Sequence, residues 1–157
     1  MGDDADVALP LLSSIKASSS LAVRIESIQA LSSLLVADAS NQSPIKRIIR
    51  VVIQVYLRAF KQGGEKQLRV QLKLFLQCML REKGGAIVDL MIDTLQQVPF
   101  EKESNWTLVS ILELIFTCFA YVARDGEAGL TSTGVALVVL QGSVLEHICG
   151  LTDSHEV

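Results

Sequence analysis

The chain is predicted to be all-α, with about seven helices in antiparallel pairs, on three features of its 157 residues. Apolar residues recur at three- and four-residue steps in run after run, the spacing of one buried helical face. Short glycine or polar turns separate the runs, and turns this short make successive helices antiparallel neighbours. Half of the residues are apolar and 20% are charged, so the chain can bury a core rather than stay disordered. One domain over 1–151 with a tail at 152–157 is expected.

The first helix is expected from about Asp4 to Lys16, with Asp3, Asp4 and Asp6 near its positive end. Pro10 either kinks it or marks its true start. Ser18, Ser19 and Ser20 form a turn rich in caps. A second helix follows, with Leu21, Ile25, Ile28, Leu31 and Leu35 on one face, ending near Ala37. Asp38 to Gln42 reads as a polar loop.

The clearest pair covers 44–83. Ser43 can cap a helix and Pro44 fits its first position, where no amide hydrogen is needed. Ile45, Ile48, Ile49, Val52, Ile53, Tyr56 and Phe60 then mark one buried face. Gly63-Gly64 supplies the turn. Leu68, Leu72, Phe75, Leu76 and Met79 continue the pattern as far as Gly84-Gly85.

A shorter helix is expected over Ala86 to Gln97, with Ile87, Leu90, Met91 and Leu95 inward and Asp89 and Asp93 outward. Val98-Pro99 stops it, and Ser104 is placed to cap the next. The sixth helix, Asn105 to Ala123, is apolar nearly all round and is expected to be central. Within 133–151, the run VALVVL is rich in β-branched residues and alone would suit a strand. A lone strand has no pairing partner, so a helix is expected there, with a break possible at Gly142.

Charge is distributed unevenly. Between Pro44 and Lys83 ten basic residues face two acidic ones, net +8, while the remainder holds four basic and fifteen acidic, net −11. Arg47, Arg50, Gln54, Arg58 and Lys61 fall on one stripe, and Lys66, Arg69, Lys73, Gln77 and Arg81 on another. Lys46, Arg47, Arg50, Arg58, Lys61, Lys66 and Lys73 define a candidate surface for an anionic partner: an acidic protein, a membrane surface or RNA. A solvated face, neutralised by the protein's own acidic segments, accounts for the same pattern. Tyr56 and Phe60 share the apolar face, so base stacking is poorly supported.

Internal similarity points to a repeat. Residues 21–31 align with 66–76 at a shift of 45, and 105–115 follow after a further 39. The chain here resembles the HEAT and armadillo class of helical repeats. Val23-Arg24 and Leu68-Arg69 match the apolar-Arg step that opens the second HEAT helix, and Ala30-Leu31 with Leu34 matches its later apolar positions. Pro10 matches the proline often found in the first helix. The third unit departs, with Thr107-Leu108 in place of the apolar-Arg pair. The resemblance covers about residues 4 to 123. It implies pairs at 4–37, 44–83 and 86–123, with a last helix at 133–151, stacked as a short right-handed α-solenoid. It also implies that Arg24 and Arg69 are structural members of a polar ladder. Lys61 and Lys66 flank one repeat turn, and Lys102 and Trp106 the next, similar to tubulin-binding HEAT arrays.

No reaction chemistry is legible. His147 lacks a second ligand, and no nucleophile elbow, HExxH or phosphate loop occurs. No metal, no cofactor and no enzymatic activity are expected. Glu113 is the one carboxylate placed for burial within the sixth helix, where it would pair with a cation such as Arg69 or reach water. Cys78, Cys118 and Cys149 each lie in apolar runs and are expected as buried, reduced thiols. That suits cytoplasm or nucleus, and the acidic N-terminus is unlike a signal peptide. Leu108–Ala123 and Thr133–Leu151 read as buried helices: the first is shorter than the roughly 20 residues of a span, and polar residues interrupt the second. The expected function is a protein-interaction scaffold, either a small solenoid or the opening module of a larger one. The last helix is too apolar to cap such an array, so further helical chain or a partner is expected to cover it.

Overall fold

In a computed structural model, seven α-helices account for nearly all of the described residues, which are 3–17, 20–37, 44–59, 65–125 and 131–153. They are α1 (Asp3–Ala17), α2 (Leu21–Ala37), α3 (Pro44–Arg58), α4 (Glu65–Lys83), α5 (Gly85–Gln96), α6 (Asn105–Asp125) and α7 (Thr131–Asp153). Among these residues there is no strand, and the VALVVL run lies wholly within α7. Ser43, Phe60, Lys61 and the Gly63-Gly64 turn lie outside the described residues.

Local chemistry sets the helix ends. Ser20 Oγ accepts from the Val23 amide at 3.3 Å and opens α2, and Ser104 Oγ accepts from the Thr107 amide at 3.2 Å and opens α6. Both satisfy an amide that has no partner within its helix. Gly84 closes α4 at φ 78°, a conformation only glycine adopts freely, with its amide bonded to Leu80 O at 3.0 Å. Between α5 and α6, a 3₁₀ turn at Phe100–Lys102 was not anticipated; it buries Phe100. Neither Pro10 nor Gly142 ends its helix. The helix α1 runs through Pro10, and α7 runs unbroken through Gly142 and is longer at both ends than 133–151.

The chain divides into two compact units, 1–87 and 88–157, and the boundary falls inside α5. In the first unit α1 packs on α2 and α3, and α4 packs on α2 and α3. Its core includes Ile15, Ile28, Leu31, Ile48, Ile49, Ile53, Leu68, Leu72, Phe75, Leu76 and Met79. The arginine four residues into α2 and its counterpart in α4 do the same work. Arg24 Nε donates to Ile15 O at 2.8 Å, near the end of α1. Arg69 Nη1 donates to Tyr56 O and Ala59 O at the end of α3, at 2.9 and 3.2 Å. Carbonyls in a last helical turn lack amide partners, and the guanidinium fork supplies them. These bonds run within each pair of helices.

In the second unit α6 packs on α7, and the 3₁₀ turn also contacts α7. Met91, Leu95, Leu108, Ile111, Leu114, Ile115, Cys118, Leu137, Leu140 and Val144 form its core. Here two expectations are corrected. By length and composition Asn105–Arg124 (20 residues, mean hydropathy 1.8) and Thr133–Gly150 (18 residues, 1.3) could each cross a membrane, and only 39% and 17% of these windows are buried. Neither is a fully buried helix, because both turn apolar side chains outward. The thiols are likewise not uniformly buried. Cys118 is buried, Cys78 is half-buried at the edge of α4, and Cys149 is exposed on α7.

Candidate functional site

Basic residues of the 44–83 pair lie on two helices, α3 and α4. On α3, Lys46, Arg47 and Arg58 are exposed and Arg50 is half-buried, with its Nε lacking a hydrogen-bond partner. That stripe belongs to the helix that packs beside α1. On α4, Lys66 and Arg81 are exposed and Lys73 is half-buried, on the helix that packs beside α2. Arg69 leaves the stripe altogether: it is 6% exposed, and its guanidinium lies 4.2 Å from the centroid of the Tyr56 ring. The gap on α4 is filled by Val70 and Leu74, both exposed, so this face alternates cationic and apolar side chains.

Two concavities border these stripes. Between α2 and α4 lies an open groove of about 300 Å³, floored by Ile28 and Phe75 and edged by Gln29, Gln71, Leu74 and Cys78. Gln29 Nε2 donates across it to Gln71 Oε1 at 3.5 Å, and Ser32 Oγ to Cys78 Sγ at 3.6 Å. A larger cavity, about 470 Å³, lies at the ends of α1 to α4 and is lined by Lys16, Arg24, Gln54, Arg58 and Glu65 against Val51, Val55 and Ala59.

Of the two residues of the second unit expected at a repeat turn, Lys102 is exposed on the 3₁₀ turn and Trp106 is 37% exposed at the start of α6. Trp106 begins an outward line at three- and four-residue steps through Val109, Glu113, Phe116 and Ala120, so α6 is not central on all sides. Glu113 is half-buried on that line. The line on α7 is more apolar. Val135, Val138, Gly142, Leu145 and Cys149 follow 3-4-3-4 spacing, with Val139 and Glu146 beside them, and all are exposed. Val138 and Val139 are 58% and 62% exposed. That spacing is present in the sequence, but in a helix apolar on every side it does not reveal which line faces out.

His147 Nδ1 lies 2.8 Å from Ser143 O, and its ring meets Phe100 edge-on at 5.6 Å. Among the described residues no three His, Cys, Asp or Glu side chains converge to hold a metal ion. No family model matches the chain, nor does any curated protein or solved structure.

Proposed function

We propose that the chain is a non-catalytic protein-interaction scaffold, working in the cytoplasm or nucleus, in which α1–α2 and α3–α4 are antiparallel pairs stacked in the HEAT manner. The observation that carries this reading is the outward line of α7. Its 3-4-3-4 spacing is that of a seam filled by a second helix, and burying one Val or Leu contributes about 1.5–3 kcal/mol. Covering Val135, Val138, Val139 and Leu145 is therefore enough to hold an amphipathic helix, presented by a partner protein or by further helical chain. The shared role of Arg24 and Arg69 supports the repeat, since each sits at the apolar-Arg step.

The test compares wild type with Val138→Lys/Leu145→Lys, both of which must be folded by circular dichroism. On this reading wild type binds a hydrophobic dye or self-associates and retains protein partners from lysate, and the double variant loses both behaviours. A wild type that is a monodisperse monomer, binds no dye and captures the same proteins as the variant would overturn it. Binding to vesicles in place of protein, lost in the variant, would reassign the face to a membrane.

A second reading, electrostatic binding of an anionic partner, is favoured by the balance of the first unit. That unit holds twelve basic and seven acidic residues, net +5, with Lys46, Arg47, Arg58, Lys66 and Arg81 exposed. Partner capture through these residues should collapse with added salt, whereas capture through α7 should hardly change.

A further inference from the structure

We infer that the cavity at the ends of α1 to α4 is a binding site for a phosphate monoester. The inference depends neither on α7 nor on the α4 stripe, so it can fail while the scaffold reading stands.

Three cationic residues from three helices line this cavity: Lys16 in the last turn of α1, Arg24 in the first turns of α2 and Arg58 in the last turn of α3. Among the described lining residues Glu65, at the start of α4, is the single carboxylate, so their side chains sum to +2. Among the described residues no ion pair engages Lys16, Arg24 or Arg58. The helix dipoles do not account for this convergence. The C-terminal ends of α1 and α3 favour cations, but the N-terminal ends of α2 and α4 reach the same cavity and oppose them, two against two.

Arg24 is already oriented. Its Nε is fixed on Ile15 O at 2.8 Å, and no described hydrogen bond uses its two terminal nitrogens. A guanidinium held in this way presents a fork that suits a tetrahedral oxyanion. Charge selects among oxyanions: a phosphate monoester carries about −1.5 to −2 at neutral pH, which matches +2, whereas a carboxylate leaves the cavity half-neutralised. Size argues that the phosphate is carried by something larger. A volume of about 470 Å³ falls within the range of small-molecule sites, about 300–1,000 Å³, and exceeds what inorganic phosphate fills. Val51, Val55 and Ala59 offer an apolar wall to the carrier, and Gln54 a further polar contact. The carrier is either a small soluble molecule or a lipid headgroup.

The experiment titrates the full chain with phenyl phosphate and, separately, with benzoate, following binding by calorimetry. In parallel, the protein is sedimented with phosphatidylcholine vesicles with and without phosphatidic acid. Arg58→Gln and Lys16→Gln remove lining charges from exposed positions, and Gln54→Glu adds an opposing charge while keeping every native cation. Lys73→Gln removes a charge outside the cavity. Phenyl phosphate is expected to bind at least tenfold more tightly than benzoate. Each cavity variant should weaken it by about tenfold or more, the scale of one charge-assisted contact, and Lys73→Gln should leave it unchanged. Binding only to phosphatidic acid vesicles, with the same sensitivity, supports the site with a lipid as carrier. Equal weakening by Lys73→Gln and the cavity variants, equal affinity for benzoate, or no binding in either arm overturns the assignment.

Discussion

Arg69 and Tyr56 meet twice: Nη1 of the arginine donates to the tyrosine carbonyl oxygen at 2.9 Å, and the guanidinium stands 4.2 Å from the centroid of the same residue's ring. A second bond reaches Ala59 O at 3.2 Å. A charge that is 6% exposed is costly unless its donors are used, and here they bind the carbonyls that α3 leaves open at its end. The charge that composition assigns to a binding stripe thus fastens α4 to α3.

Removing that fastening should be costly. Arg69→Ala is expected to destabilise the first unit by about 3 kcal/mol, since hydrogen bonds to charged groups contribute about 1.5–3 kcal/mol each and cation–π contact adds about 1. Arg24→Ala, with one described bond at a part-buried position, should lose about half as much. Arg69→Lys should not rescue, because an ammonium lacks the planar fork. Urea unfolding of the three variants checks this; equal, small losses at both positions would show that neither arginine closes its pair.

Helix ends were largely legible because single residues cause them. Ser20, Pro44, Gly84 and Ser104 each act through their own side chain or backbone freedom, without tertiary help. Which side of a helix faces solvent was legible only where charge broke the symmetry, as on α3. In α6 and α7, apolar on every side, spacing fits several faces equally, so the exposure of Phe116 and Val139 had no signal of its own. The same ambiguity misplaced the thiols. An apolar neighbourhood in sequence surrounds Cys149, yet its helical position puts it on the outward line of α7. Nor does spacing say which helix lies beside a stripe. The cavity of Lys16, Arg24 and Arg58 joins residues up to 42 positions apart and had no local pattern to announce it.

Thiol reactivity should follow exposure. Cys149 is expected to react first with a maleimide, Cys78 more slowly behind the groove edge, and Cys118 only on unfolding. Peptide mapping after timed labelling reads the order directly, and rapid modification of Cys118 in the folded chain would contradict the packing of α6.

Alkaline pH should weaken the second unit through Cys118. Burial pushes its thiol from the ordinary 9.0 up to about 12, and its Sγ lies 3.7 Å from Met91 Sδ. Below pH 9 both folded and unfolded chains keep this proton, so its contribution is fully present. Between pH 9 and 12 the unfolded chain releases the proton and the folded chain retains it, so stability falls as pH rises, by up to about 1.4 kcal/mol per unit. Melting curves across this window should fall more steeply for wild type than for Cys118→Ala. Parallel curves would show that tyrosine and lysine titration alone governs the decline.

Gly142 offers the sharpest separation between stability and association on α7. It lies inside an unbroken helix, is exposed, and a Cβ built there meets nothing within 4 Å. Alanine in place of glycine in a helix interior lowers the entropy lost on folding, so Gly142→Ala should stabilise the second unit by about 0.5–1 kcal/mol. If a helix docks along Val135, Val138, Leu145 and Cys149, the same methyl stands in the middle of the seam, where glycine permits the closest approach. The expected outcome is a higher melting temperature together with weaker association, measured by unfolding and sedimentation on the same sample. A gain in stability with unchanged association would place the docked helix away from this line. A loss of stability would mean that the glycine relieves a constraint the open surface around it does not reveal.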